Sequence, residues 1–266
     1  MPIESFSETR VVITGGASGI GLALAKRMHA DGARIAMCDQ DKTALQTAII
    51  KMPDVLGFVC DVADPEALEG FIMEASDALG GIDVGWNNAG IMQKSQPVQD
   101  MEWENYRRIM DVNLDAVVRG SQIMARRMTA QGTPALILNT GSENSLFHGV
   151  PGGSAYVASK VAVRAMTESL LQDTPDYIDV KLLCPGFVNT SLGPASLFRR
   201  GMDVEQFADI AFPLLSTDQF YLVSHGYNAV RVRETTDRIL ADIEAGAAPA
   251  ADTKAFDTYT LMGLHR

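Results

Sequence analysis

The stretch Thr14-Gly15-Gly16-Ala17-Ser18-Gly19-Ile20-Gly21 decides the architecture. It leaves the apolar run Val11-Val12-Ile13 and opens onto residues 21–30, where apolar side chains recur at helical spacing until Asp31-Gly32. A strand, a glycine-rich turn and a helix in that order make a cradle for a diphosphate. Gly15 permits the tight turn, Gly19 lets backbone approach the phosphates, and Gly21 lets the helix pack closely. The helix N-terminus adds free N–H groups and the positive end of its dipole. The expected dinucleotide-binding set in this loop is Gly15, Ser18, Gly19, Ile20 and Gly21.

Working outward, further apolar runs occur at 34–38, 56–60, 82–86, 135–138 and 180–184. They are continuous rather than alternating, as in strands covered on both faces. Helical patterns lie between them. Asp64-Pro65-Glu66 supplies a cap, a first-turn proline and a first-turn acid for a helix reaching Leu79. Residues 103–130 are helical with a break near Asn113, and 155–173 are helical up to the residues before Pro175. Gln219 to Val223 is the seventh strand, followed by a helix to about Glu244. This alternation predicts an α/β, Rossmann-type doubly wound parallel sheet of about seven strands with helices on both faces. The expectation is one domain over 1–266, with ligands beyond the carboxyl ends of the strands.

Composition limits the partners. The 266 residues are 47% hydrophobic and 21% charged, with a formal net charge of −11. That balance argues for a globular chain and against nucleic acid or anionic membrane as partners. Cys38, Cys60 and Cys184 form no CxxC pair, so reduced buried thiols and no metal site are expected. Residues 1–10 are polar, without a signal-peptide pattern, and no apolar stretch approaches the ~20 residues of a membrane helix. A soluble cytoplasmic protein is the expectation.

The second strand ends at Asp39, eighteen residues after Gly21. That suits a carboxylate accepting from the adenosine ribose, and it would repel a 2′-phosphate. No Arg or Lys lies in the loop or just after Asp39, so NAD(H) is expected over NADP(H). Asp61 and Val62 follow the third strand, and Asn88, Ala89 and Gly90 follow the fourth. Asp61 suits the adenine amino group, and the small Ala89-Gly90 lets backbone approach the ribose.

Tyr156-Val157-Ala158-Ser159-Lys160 sets a phenol and an ammonium one helical turn apart. The ammonium, with the positive nicotinamide of an oxidised cofactor, is expected to lower the phenol's pKa, so that it exchanges a proton with an alcohol. Ser142 ends the fifth strand, fourteen residues before Tyr156. Asn113 lies in Asp111-Val112-Asn113-Leu114-Asp115, and Cys184-Pro185-Gly186-Phe187-Val188-Asn189-Thr190 follows the sixth strand.

Over roughly residues 8–190 this combination resembles the single-domain short-chain dehydrogenase/reductase family. The resemblance implies Tyr156 as acid/base, Lys160 as the group that lowers its pKa and binds ribose, and Ser142 as a donor to the substrate oxygen. It implies Asn113 as the holder of a water in a proton relay through Lys160. Asn88, Ala89 and Gly90 would support the central strand and cofactor, and Pro185, Gly186, Val188 and Thr190 the nicotinamide and its ribose. Two departures stand out. The serine-to-tyrosine gap is one residue longer than the commonest family spacing, which would place Glu143 at the serine; Ser142 is favoured because it ends the strand, with Ser145 as runner-up. Trp86 stands where the family usually has an aliphatic residue, and its indole needs a pocket and an N–H partner.

The activity implied is NAD(H)-dependent interconversion of a secondary alcohol and a ketone. Leu146, Phe147, His148, Val150, Pro151, Phe187 and Met92 suggest a mostly apolar pocket for a bulky small-molecule substrate. Residues 191–215 are expected to form a lid, and 245–266 a variable tail. A homodimer or homotetramer is expected, with a dimer through the 103–130 and 155–173 helices preferred. Two alternatives are kept. A sugar-nucleotide epimerase or dehydratase shares the Tyr/Lys pair but is usually longer; a non-catalytic dinucleotide sensor would not require the full residue set.

Overall fold

A computed structural model describes residues 5–92, 94–246, 253 and 257. The chain is described as two compact units, Met1–Gly226 and Tyr227–Arg266. In the first unit seven parallel strands form one sheet: β1 (Arg10–Thr14), β2 (Arg34–Asp39), β3 (Leu56–Val59), β4 (Val84–Asn87), β5 (Ala135–Thr140), β6 (Ile178–Cys184) and β7 (Tyr221–Val223). Their order is β3-β2-β1-β4-β5-β6-β7. The strand order reverses between β1 and β4, and a crevice opens there beyond the carboxyl ends.

The continuous apolar runs have a direct cause. Val11 and Ile13 of β1 join one buried layer, with Trp86 of β4 and Leu138 of β5. Val12 joins the opposite layer, with Ile137 of β5 and Val180 of β6. Successive side chains point to opposite faces, and both faces are covered, so most strand positions are apolar and the buried polar ones, such as Asn87, Asn139 and Lys181, are hydrogen-bonded. The Trp86 indole is fully buried and donates from Nε1 to Thr140 Oγ1 at 2.8 Å.

The flanking helices are α1 (Gly19–Ala30), α2 (Lys42–Ile50), α3 (Pro65–Leu79), α4 (Trp103–Met110), α5 (Ala116–Gln131), α6 (Ser154–Asp173), α7 (Ala195–Phe198) and α8 (Val204–Leu214). The expected cap of α3 is present: Asp64 Oδ1 accepts from the N–H groups of Glu66 and Ala67. The sequence reading missed α2, although Asp41 caps it in the same way through Thr43 and Ala44. Between α4 and α5 the chain makes a π-helical turn, Asp111–Asp115, where the break near Asn113 was expected.

A substrate lid was expected over 191–215. Ser191, Leu192, Leu197 and Phe198 line the crevice. Helix α8 instead belongs to the core: Phe207, Ala208 and Ala211 are buried, and Arg27 of α1 pairs with Glu205 and Asp209. Buried Lys181 of β6 ties the end of α8 to the sheet by donating to the carbonyls of Leu215 (3.2 Å) and Thr217, with Asp179 3.1 Å away.

The second unit contains α9 (Asn228–Gly246), along which Val230, Ile239, Leu240 and Ile243 are exposed. The expectation that Phe256, Tyr259, Leu261, Met262 and Leu264 fold back lies outside the described residues. No described helix is long and apolar enough to cross a membrane.

Candidate active site

A cleft of about 540 Å³ lies along the carboxyl ends of β1, β4, β5 and β6. That volume falls within the range of small-molecule and cofactor sites. All the expected site residues line it except Asn113: Gly15, Ser18, Gly19, Ile20, Gly21, Asp39, Asp61, Val62, Asn88, Ala89, Gly90, Ser142, Tyr156, Lys160, Pro185, Gly186, Val188 and Thr190.

At one end the glycine turn is pressed against the end of β4. Gly15 has φ +64°, and a side chain there would meet Ala89 Cα at 2.7 Å; one at Gly21 would strike the Gly15 carbonyl and reach Asn88 Nδ2 at 2.5 Å. Asn88 Nδ2 donates to Thr14 O (3.1 Å) and Gly15 O (2.9 Å), and Thr14 Oγ1 accepts from the N–H groups of Asn88 and Ala89. The crevice wall is therefore bare backbone opening onto the start of α1, which suits the diphosphate of a dinucleotide.

Asp39, at the end of β2, lines the same cleft. Its Oδ2 accepts from Ala17 N at 3.2 Å and its Oδ1 from Asp41 N at 3.0 Å. The sequence reading saw no cation near Asp39. The structure corrects this: Arg108, from α4, lines the same cleft. It donates to Asp61 Oδ2 at 2.9 Å and reaches Gln40 Oε1 at 3.4 Å. The other Asp61 oxygen accepts from Ala63 N at 3.1 Å, so this carboxylate has protein partners at both oxygens.

Tyr156 and Lys160 line the other end from α6, with Lys160 Nζ 5.9 Å from the Tyr156 ring centroid. Nζ donates to Thr140 O at 2.8 Å. Burial lowers the Lys160 ammonium's pKa to about 8, which leaves it charged at neutral pH. Ser142 and Tyr156 line the same cleft. The expected lowering of the phenol pKa counted on the positive nicotinamide of an oxidised cofactor as well as on Lys160; the chain's own groups act as follows. Burial pushes the Tyr156 phenol up, the bond from Ser142 pulls it back, and the Glu143 charge adds to the rise.

Ser145 does not line the cleft. Its Oγ donates to Lys160 O at 2.7 Å and accepts from Ser142 N at 3.1 Å, so it splints the loop to α6. Asn113 is fully buried in the π-helical turn. Its amide accepts from Ile91 N (2.8 Å) and donates to Ile91 O (2.9 Å) and Ser159 Oγ (3.3 Å). A side chain at Gly90 would come within 3.5 Å of Asn113 Oδ1 and 3.7 Å of Lys160 Nζ, so bare backbone separates the two. Asn113 thus holds the segment after β4 beside Lys160.

Beyond Tyr156 the wall is mainly apolar: Met92, Val150, Phe187, Leu192, Leu197 and Phe198, with Phe187 and Phe198 rings 5.1 Å apart. Of the expected pocket residues, Met92, Val150 and Phe187 line the cleft, whereas Leu146 packs in the core beside Val117 and Val163. Phe147, His148 and Pro151 are not cleft-lining residues. His225 lies behind the wall, within 3.3 Å of Gly186 N and 2.8 Å of Ser224 Oγ. The sequence reading overlooked Asn144, a buried polar residue at this end. Its position two residues after Ser142 was the available signal.

The family model for short chain dehydrogenases matches residues 9–197. The chain belongs to the short-chain dehydrogenase/reductase family. A curated relative, 1-deoxy-11-beta-hydroxypentalenate dehydrogenase of Streptomyces arenae, is 34% identical over 250 residues, covering 88% of each chain. A solved short chain dehydrogenase/reductase from Burkholderia phymatum in complex with NAD superposes with TM-score 0.83 over 93% of this chain and 98% of the other, at 24% identity, a likeness of fold. A short chain dehydrogenase from Burkholderia cenocepacia in complex with NADP gives TM-score 0.76 at 27% identity, over 85% of this chain and all of the other. The protein is an oxidoreductase of this family acting on a CH–OH group with a nicotinamide dinucleotide.

Proposed function

We propose that the protein interconverts a bulky, largely apolar secondary alcohol and its ketone, with NAD(H) as the cofactor. The observation that carries this reading is the shared cleft. Backbone suited to a diphosphate lies at one end, and Tyr156, Ser142 and Lys160 lie beside an apolar wall at the other. The glycine loop would hold the diphosphate, Asp39 the adenosine ribose, Lys160 the second ribose, and Pro185, Gly186, Val188 and Thr190 the nicotinamide. When bound, the cofactor supplies or accepts the hydride.

The remaining chemistry belongs to the chain. During reduction the Tyr156 hydroxyl gives its proton to the substrate oxygen, and during oxidation its phenolate takes that proton back. Ser142 donates a hydrogen bond to the oxygen as negative charge builds on it. Lys160 supplies positive charge beside the phenol, and Asn113 positions the segment that lines the ribose side. Met92, Val150, Phe187, Leu192, Leu197 and Phe198 exclude water and favour an alicyclic or aromatic substrate over a phosphorylated sugar. The curated relative's printed substrate, a hydroxypentalenate, is in keeping with this class. A homodimer through α4, α5 and α6 is part of the proposal, supported by exposed Trp103, Val161, Met166 and Leu171 on α4 and α6.

The test is an NAD-coupled absorbance assay over alicyclic and aromatic secondary alcohols, run beside Tyr156→Phe. Turnover by the wild type is expected, with a loss of about 10²–10⁴-fold in the variant. Equal turnover by the variant overturns the assignment.

A further inference from the structure

We propose that Asn144 is a positioning residue that forces the Ser142 hydroxyl to donate its proton into the active site; this rests on the Ser142–Tyr156 chemistry proposed above. A serine hydroxyl has one proton to give and two lone pairs. Ser142 Oγ accepts from Asn144 N at 3.2 Å and from Asn144 Nδ2 at 3.3 Å. Both acceptor positions are therefore taken by one residue.

The orientation of the Asn144 amide is set independently. Gly149 N–H donates to Asn144 Oδ1 at 2.8 Å, and a backbone N–H can only meet the oxygen of the amide. The NH₂ group must then face Ser142. Asn144 is 3% exposed, so water does not compete for these bonds. The Ser142 proton is left to point away from Asn144, into the cleft that Ser142 and Tyr156 both line.

The consequence is asymmetric. A hydroxyl free to rotate serves a phenol or a phenolate equally well, by accepting or by donating. One held as a donor favours the phenolate and a negatively charged substrate oxygen. Asn144 thereby counters the burial that pushes the phenol up. The charged groups facing Tyr156 are Glu143, which opposes ionisation, and Lys160 on α6. Behind Lys160 is Cys184, at the end of β6, whose own thiol is pushed up to about 12 by burial and stays neutral. Asn144 also links this switch to the loop through Gly149, beside cleft-lining Val150.

The test reads the phenol directly. Tyrosine isotope-labelled at Cζ is titrated by NMR in the NAD-saturated protein, and the Tyr156 signal is assigned by its loss in Tyr156→Phe. Asn144→Ala is expected to move the Tyr156 midpoint up by about one pH unit. Asn144→Asp keeps the shape and the acceptor for Gly149 but turns the donor facing Ser142 into an acceptor, and is expected to move it further. In a Ser142→Ala background Asn144→Ala should add nothing, because its effect travels through that hydroxyl. An unmoved midpoint in Asn144→Ala, or the same shift with and without Ser142, overturns the proposal: a purely structural asparagine changes the melting temperature and leaves the titration in place. If Ser142→Ala itself leaves the midpoint unmoved, the Ser142–Tyr156 assignment has failed, and this inference falls with it.

Discussion

At the scale of the residue, the central fact is a phenol whose surroundings favour its neutral form. Burial and the Glu143 charge push Tyr156 up, and the bond from Ser142 only partly offsets them. The sign follows for each direction. Oxidation needs the phenolate, so its rate should climb with pH through neutrality toward the raised pKa. Reduction needs the neutral phenol and should hold steady over the same range, falling only at higher pH. The slope for oxidation is expected to reach about tenfold per pH unit. Initial rates in both directions with the best alcohol–ketone pair check this; an oxidation rate already flat below neutral pH contradicts it.

Among elements, the sheet's amino edge is tied by one buttress away from the cleft. Arg10 opens β1, and Asp83 precedes β4. Arg10 N and Nε both donate to Asp83 Oδ2, at 2.9 and 2.8 Å, while Nη2 reaches Oδ1. Both side chains are less than a quarter exposed. Burial raises the Asp83 carboxyl, but the Arg10 side-chain bond and its allies outweigh it and hold the pKa below 3.8. A depressed carboxylate stabilises the fold above its unfolded pKa, and the contribution is lost as pH falls through the folded one. Asp83→Asn should therefore cost about 1–3 kcal/mol at neutral pH, with Tyr156 chemistry intact. The gap in melting temperature from wild type should close as pH drops below about 4. A gap that is absent at neutral pH, or constant into acid, counts against the buttress.

For the whole molecule, cofactor choice is a competition between groups from distant parts of the chain. Asp39 from β2 repels a 2′-phosphate, whereas Arg108 from α4 would attract one were it not paired with Asp61. On the proposed NAD(H) reading, Asp39 decides while Arg108 stays engaged. NAD should stabilise the folded protein more than NADP, because binding to the native state alone adds stability in proportion to ln(1 + [L]/Kd). An affinity gap of at least about tenfold, or ~1.4 kcal/mol, is expected. Thermal shifts with each dinucleotide measure it, and a larger shift with NADP reverses the assignment.

What the sequence by itself determined is whatever depends on backbone repeat and short spacing. The glycine turn between β1 and α1, the Tyr156–Lys160 pair one turn apart, the Asp64 cap of α3 and the break at Asn113 are local, so their geometry follows from consecutive residues. The two-faced sheet was legible for the same reason, since strands buried on both sides are mostly apolar along their whole length. Helix α2 was missed although Asp41 marks its cap, because the apolar periodicity that follows is short. The tertiary structure alone decided which remote groups meet. It brought Arg108 to the Asp61 side of the cleft, packed α8 on α1, and turned Lys160 toward Thr140 O. It also placed the Gly149 N–H where it orients the Asn144 amide toward Ser142. Such contacts depend on how strands and helices cross, and a hydrogen bond is made or lost over a few tenths of an ångström that no linear spacing encodes.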